Sequence, residues 1–207
     1  MNTTAPVTLT LLFANAAIFL WIHFSSPEYF EKLSEWPWQI VKERKYYQII
    51  TSGFMHANWM HLFFNLFTLY SFGTFLESFF AKIYGANLLG SFYFLLIYFI
   101  SLLTGSLTTV LFHHKDPGYV AVGASGAVSG IIFSYIIFFP FSQIGVFFFP
   151  VPAFLFAVLY IGVSIYGMKN QLGNIGHEAH LGGAIGGVIS TLLLINNSFT
   201  VLLSHFK

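Results

Sequence analysis

Cysteine is absent from the 207 residues, and charged residues make up only 7% of them. The first absence excludes disulfides, thiolate metal sites and a cysteine nucleophile. The second, beside a hydrophobic fraction of 57%, excludes an ordinary water-soluble globule. A formal net charge of +1 and the lack of a basic stripe with interleaved aromatics leave no footprint for a nucleic acid. The start, Met1 to Pro6, lacks the positive region of a signal peptide, so the apolar run behind it is expected to stay as a helix. What remains is an all-α polytopic membrane protein whose solvent is the lipid bilayer. At about 20 apolar residues per crossing there is room for roughly six or seven helices and little else, so residues 1–207 read as one membrane domain.

Six spans are expected, over residues 7–24, 59–80, 84–112, 123–140, 153–167 and 177–195. Asn15 is the one strongly polar residue inside the first. Residues 25–58 hold most of the charge of the chain together with Trp36 and Trp38, which predicts an amphipathic segment lying at the interface. His113 to Gly118 is a polar turn. Phe141 to Pro152, broken by Ser142, Gln143, Gly145, Pro150 and Pro152, is expected to be a short loop, and Lys169 to Gly176 another. The last dozen residues read as a short tail.

Helices two crossings apart point the same way, so spans two, four and six present their N-terminal ends to one side. Those ends carry His56, His61 and Asn65, then Ser125, then His177 and His180. Ionisable groups at membrane depth are functional candidates by default, because leaving them there is costly. Ser125 stands in Gly-Ala-Ser-Gly at a helix start, with free amides beside it and the positive end of the helix dipole behind it. Gly126 and Gly130 form one small-residue face, and His180, Gly183 and Gly187 recur at helical spacing on another, so the two helices can approach until His180 meets Ser125. A base in hydrogen-bond reach is what activates a serine. His61 and Asn65 share a face and can both donate to a developing oxyanion. No acid stands where it could orient His180, since Glu178 lies on a different face, so the arrangement is a dyad.

Three motifs in this order, Gly-x-Ser-Gly at Gly123–Gly126, Ala-His-x-x-Gly-x-x-x-Gly at Ala179–Gly187 and His-x-x-x-Asn at His61–Asn65, resemble the rhomboid intramembrane serine proteases. The resemblance covers the whole membrane core. It implies that Ser125 attacks a peptide bond of a transmembrane protein substrate, that His180 is the base, and that His61, Asn65 and the Ser125 amide hold the oxyanion, with no cofactor and no metal. It also implies a six-helix bundle, a partly embedded loop one, and a mobile fifth span capped by Asn170 to Gly176. The chain departs from the family in two places. Tyr47-Gln48 stands where many bacterial members have Trp-Arg in loop one, and Ser129 stands four residues after the nucleophile, where some members have an aromatic that stacks on the histidine.

Two other readings compete. His177, His180 and Glu178 could serve a metal-dependent membrane hydrolase, although His-Glu-Ala-His is one residue short of the helical zinc motif. A non-catalytic protein that only binds helices, or a transporter, would need no dyad. Lys115, Lys169 and loop one lie on the side of Ser125, against Lys82 and Lys207 on the other, so charge alone would turn the site to the cytoplasm. The resemblance implies the opposite, a site facing outward from a bacterial cytoplasmic membrane. That orientation is the expected one, because loop one is interfacial and the counts are small.

Overall fold

A computed structural model describes residues 5–146, 149–170, 172, 173 and 175–206. Helix α1 covers Pro6–Ser25, and its buried residues Thr8, Leu11, Asn15, Phe19 and Ile22 form one stripe at helical spacing. Pro6 fits the first turn because it has no N–H to satisfy. The next free amides are taken by Glu77, whose carboxylate accepts from Val7 N at 3.0 Å, from Thr8 N at 2.8 Å and from Thr8 Oγ1 at 2.8 Å. Ser91 Oγ donates to the same fully buried group.

Loop one folds into three short helices, α2 (Tyr29–Leu33), α3 (Pro37–Lys42) and α4 (Gln48–Thr51), followed by a 3-10 turn at Ser52–Phe54. The second helical stretch is continuous from Trp59 to Tyr84: α5 (Trp59–Thr68), a π-helical segment at Leu69–Gly73, and α6 (Thr74–Tyr84). Then come α7 (Asn87–His113), α8 (Ser125–Phe138), α9 (Ala153–Asn170) and α10 (His177–Leu194). Helices α1, α7 and α9 are each long and apolar enough to cross a bilayer.

Two expectations need correction. Phe141 to Pro152 is not a plain loop: strand β1 (Gln143–Val146) pairs antiparallel with β2 (Phe149–Pro152), Ile144 opposite Val151. Pro150 and Pro152, read as breakers, are tolerated because a two-stranded ribbon consists only of edges. Nor are the last residues a plain tail. Asn197 takes the left-handed conformation with φ of 60°, and α11 (Ser198–Ser204) leaves at 109° to α10. Of the expected cap at Asn170–Gly176, Gln171 and Asn174 lie outside the described residues.

Helix α10 lies between α7 and α8, and small residues set its distance from each. A Cβ on Gly183 would come within 2.0 Å of the Gly126 carbonyl oxygen, and one on Gly187 within 2.2 Å of that of Gly130. On the other face a Cβ at Gly182 would meet Thr108 Oγ1 at 2.2 Å, and one at Gly186 would meet Thr104 Oγ1 at 1.9 Å. With nothing larger than hydrogen at these four positions, backbone packs on backbone towards α8 and threonine side chains pack on the α10 backbone towards α7. Deeper in the same seam Thr191 Oγ1 donates to Ser134 Oγ at 2.7 Å.

Candidate active site

The approach to Ser125 is held from loop one. Gly123 has φ of 128°, which side chains other than glycine's avoid, and its amide donates to the Ser52 carbonyl at 3.0 Å. Ala121 exchanges two backbone hydrogen bonds with Glu35, each of 2.9 Å. Trp36 Nε1 donates to the Pro117 carbonyl at 2.9 Å. The chain thus enters α8 with Ser125 as its first residue, where the amides of the opening turn have no helical acceptor. Those amides and the helix dipole favour negative charge beside the serine.

Helix α5 brings His61 against this turn. A Cβ on Gly123 would lie 2.6 Å from His61 Cε1 and 2.7 Å from Nε2, so the ring fills the space a larger residue would need. The Ala57 amide donates to His61 Nδ1 over a long 3.4 Å. A neutral ring that accepts at Nδ1 carries its proton on Nε2, the nitrogen beside Gly123. Asn58 caps the helix, its side chain accepting from the His61 amide at 2.9 Å. Asn65 is buried one turn on, and its Nδ2 donates to the His61 carbonyl at 2.9 Å.

His180 sits in the first turn of α10, three residues before Gly183, just as Ser125 sits one residue before Gly126 on the facing helix. The contact of those two glycines therefore brings the first turns of the two helices together. The His180 ring stacks on Tyr160 of α9, centroids 5.9 Å apart and planes 28° apart. The Tyr160 hydroxyl is hydrogen-bonded to Ser129 Oγ, and Ser129 Oγ donates to the Ser125 carbonyl at 2.7 Å.

The remaining titratable residues are held by other partners. His177 packs its ring on Gly167 and directs Nε2 to the Leu172 carbonyl at 3.1 Å. Glu178 Oε1 lies 3.5 Å from His113 Nε2, and the His113 ring stacks on Tyr119 with centroids 3.6 Å apart. Glu178 therefore does not converge with His180, whereas the His177 ring stands edge-on to the His180 ring with centroids 6.4 Å apart; among the described residues no group of three His, Asp or Glu is gathered to hold a metal. His56 is buried next to His61, ring centroids 5.2 Å apart; burial, with the His61 charge second, pushes it down to about 4, so it is neutral at physiological pH.

The family model for the Rhomboid domain matches residues 43–197, which takes in all of these groups except Glu35 and Trp36. The chain belongs to the rhomboid family. It is 32% identical over 185 residues to RHOMBOID-like protein 12, mitochondrial, of Arabidopsis thaliana, covering 86% of this chain and 55% of that protein. It is 35% identical over 150 residues to Rhomboid protein 1, mitochondrial, of Saccharomyces cerevisiae, covering 68% and 40%. With the putative rhomboid protease YdcA of Bacillus subtilis it shares 29% identity over 195 residues, covering 90% and 88%. The chain spans about half the length, or less, of the two mitochondrial relatives. As a rhomboid it is an integral, multi-pass membrane protein of an intramembrane protease family.

Both departures from the rhomboid pattern have physical substitutes in the fold. Gln48, standing for arginine, is fully buried: its Oε1 accepts from the Trp36 amide at 3.2 Å, and its Nε2 donates to the Lys32 carbonyl and Gln39 Oε1, each at 3.3 Å. A neutral amide anchors loop one with no charge to desolvate. Tyr160 is the second substitute, and sequence reasoning missed it because its partners lie on α8 and α10. The one hint available was a phenol in mid-span, where a polar tip needs a partner. Glu35 belongs to the charged segment expected to lie at the interface. It is buried, accepts from Ser106 Oγ at 2.6 Å, and burial pushes its carboxyl up to about 8, so it is largely protonated at neutral pH.

Proposed function

We propose that this rhomboid is a serine endopeptidase that hydrolyses peptide bonds in or near transmembrane segments of other membrane proteins. The observation that carries the reading is the glycine contact between α8 and α10, which brings the first turns of two helices together with Ser125 on one and His180 on the other. Ser125 Oγ attacks the carbonyl carbon of the scissile bond and gives its proton to His180, while the carbonyl electron pair moves to oxygen. His61 Nε2–H, the Asn65 amide and the Ser125 backbone N–H stabilise that oxyanion. His180 then protonates the departing amine as the C–N bond breaks, and water repeats the cycle in reverse to free the acyl group and Ser125.

The unit proposed is a single membrane domain over residues 1–207 with six crossings, its site open to the outer face of a bacterial cytoplasmic membrane. The relatives include bacterial proteins as well as mitochondrial ones, and a reporter fused after Lys207 reads the orientation directly. Incubation of the purified protein with a model transmembrane substrate tests the chemistry. Wild type should cleave it, and Ser125→Ala and His180→Ala should each lower the rate by about 10⁴-fold or more, the usual scale for a triad or dyad member. Chelator-sensitive cleavage that survives Ser125→Ala would reject the reading in favour of metal chemistry through the α10 histidines.

A further inference from the structure

A histidine that serves as base must be held with one nitrogen towards the serine, and here no carboxylate does it: Glu178 faces His113. We propose that Tyr160, carried by α9, is the residue that positions His180, so that the catalytic alignment depends on where α9 sits. The proposal rests on the reading of Ser125 and His180 as a dyad. Its geometry is a chain of contacts. The phenol ring lies beside the imidazole in an offset stack, centroids 5.9 Å apart. Ser129 has a single proton and gives it to the Ser125 carbonyl, so in the bond between Ser129 and Tyr160 the phenol is the donor. Tyr160 therefore stacks beside the base, and through Ser129 it holds the helical turn that bears the nucleophile.

The ring has little freedom to do otherwise. Phe133 of α8 and Phe156, one turn back on α9, flank it with centroids 5.5 Å away in each case. Ser129 is part of the same device, since an aromatic at that position of α8 would occupy the space the Tyr160 ring now fills. Most of α9 looks away from the bundle: Val158, Leu159, Val163 and Tyr166 are exposed, whereas Ala153, Ser164 and Gly167 are buried. Displacing α9 sideways would lift the ring from His180 and break the bond to Ser129 in one movement. The position of α9 is thereby a condition for turnover.

The test combines cleavage kinetics with the rate at which a fluorophosphonate labels Ser125, both on the full chain in detergent or vesicles. Tyr160→Ala should lower kcat and the labelling rate by about 10²-fold, the scale of a small misplacement of a reacting group, with KM changed less than about threefold. Tyr160→Phe keeps the stack and should lose less than about tenfold, and Ser129→Ala, which removes only the link, should resemble it. The double variant Ser129→Tyr with Tyr160→Ala moves the aromatic to α8 and should recover labelling relative to Tyr160→Ala alone. Labelling of Tyr160→Ala at the wild-type rate, or a Tyr160→Phe variant as poor as Tyr160→Ala, overturns this inference while leaving the dyad standing. Wild-type protein that shows no His180-dependent labelling overturns both.

Discussion

Helices α8 and α9 are neighbours with opposite surroundings. Eleven of the fourteen residues of α8 are buried, against three of the eighteen of α9. The difference follows from side-chain size. Helix α8 meets α10 through Gly126 and Gly130, where backbone packs on backbone, while α9 shows the bilayer large aliphatic residues that are as well solvated by lipid tails as by protein. Without a hydrophobic drive between helices in lipid, close packing is the main attraction left, and α9 has little of it. The fold thus keeps Ser125 and His180, the proposed nucleophile and base, on its closely packed seam and sets a sparsely buried helix next to them.

The largest effect should come from filling that seam. Gly183→Leu puts a branched side chain where even a Cβ would overlap the Gly126 carbonyl, and should yield protein that neither folds stably nor cleaves. Gly162→Leu is the matching change on α9. A Cβ at Gly162 meets nothing within 4 Å, so this variant should express, melt and cleave like wild type. Equal behaviour of the two in thermal melting and substrate cleavage would erase the distinction between the helices. A smaller effect is expected at the α5 side of the site. Asn65→Ala removes one proposed oxyanion donor without touching the α8–α10 seam, and should lower kcat by about 10²–10³-fold, with melting shifted far less than by Gly183→Leu. A loss of activity that merely tracked a loss of folding would assign Asn65 to packing.

The rigid seam was legible in the sequence and the looser helix was not. Gly126, Gly130, Gly183 and Gly187 recur at helical spacing beside Ser125 and His180, and spacing is what a sequence displays. The second face of α10, Gly182 and Gly186 on Thr108 and Thr104, stands in the same text, yet nothing in it says which neighbour each face meets. Tyr160 was illegible for a different reason: its role depends on Ser129 and His180, and no local pattern joins the three. The pairing of Gln143–Val146 with Phe149–Pro152 was hidden by its prolines, which speak against strands in general but not against an edge. Gln48 read as a lost arginine because the acceptors and donors around it are contributed by Lys32, Trp36 and Gln39 in a fold of short helices that only tertiary packing stabilises.

The smallest expected effect belongs to loop one, which sides with the rigid seam because it holds the Gly123 turn. Glu35 ties that loop to Ala121 and Ser106, and its buried carboxyl has its pKa raised from 4.5 to about 8. Below about pH 4.5 the group is protonated whether the loop is folded or open, so folding meets no electrostatic penalty. Between about 4.5 and 8 the open form ionises while the folded form keeps its proton, and stability falls as pH rises; above about 8 the penalty is fully developed. Glu35→Gln retains an acceptor for Ser106 and has nothing to ionise. Its melting temperature should match that of wild type near pH 4.5 and exceed it increasingly towards pH 8. The same variant should hold loop one more firmly at alkaline pH, read as slower proteolytic nicking between Glu28 and Gln48. A Glu35→Gln melting curve that ran parallel to wild type across this range would mean that water reaches the carboxylate, and would move loop one from the rigid half of the molecule to the yielding half with α9.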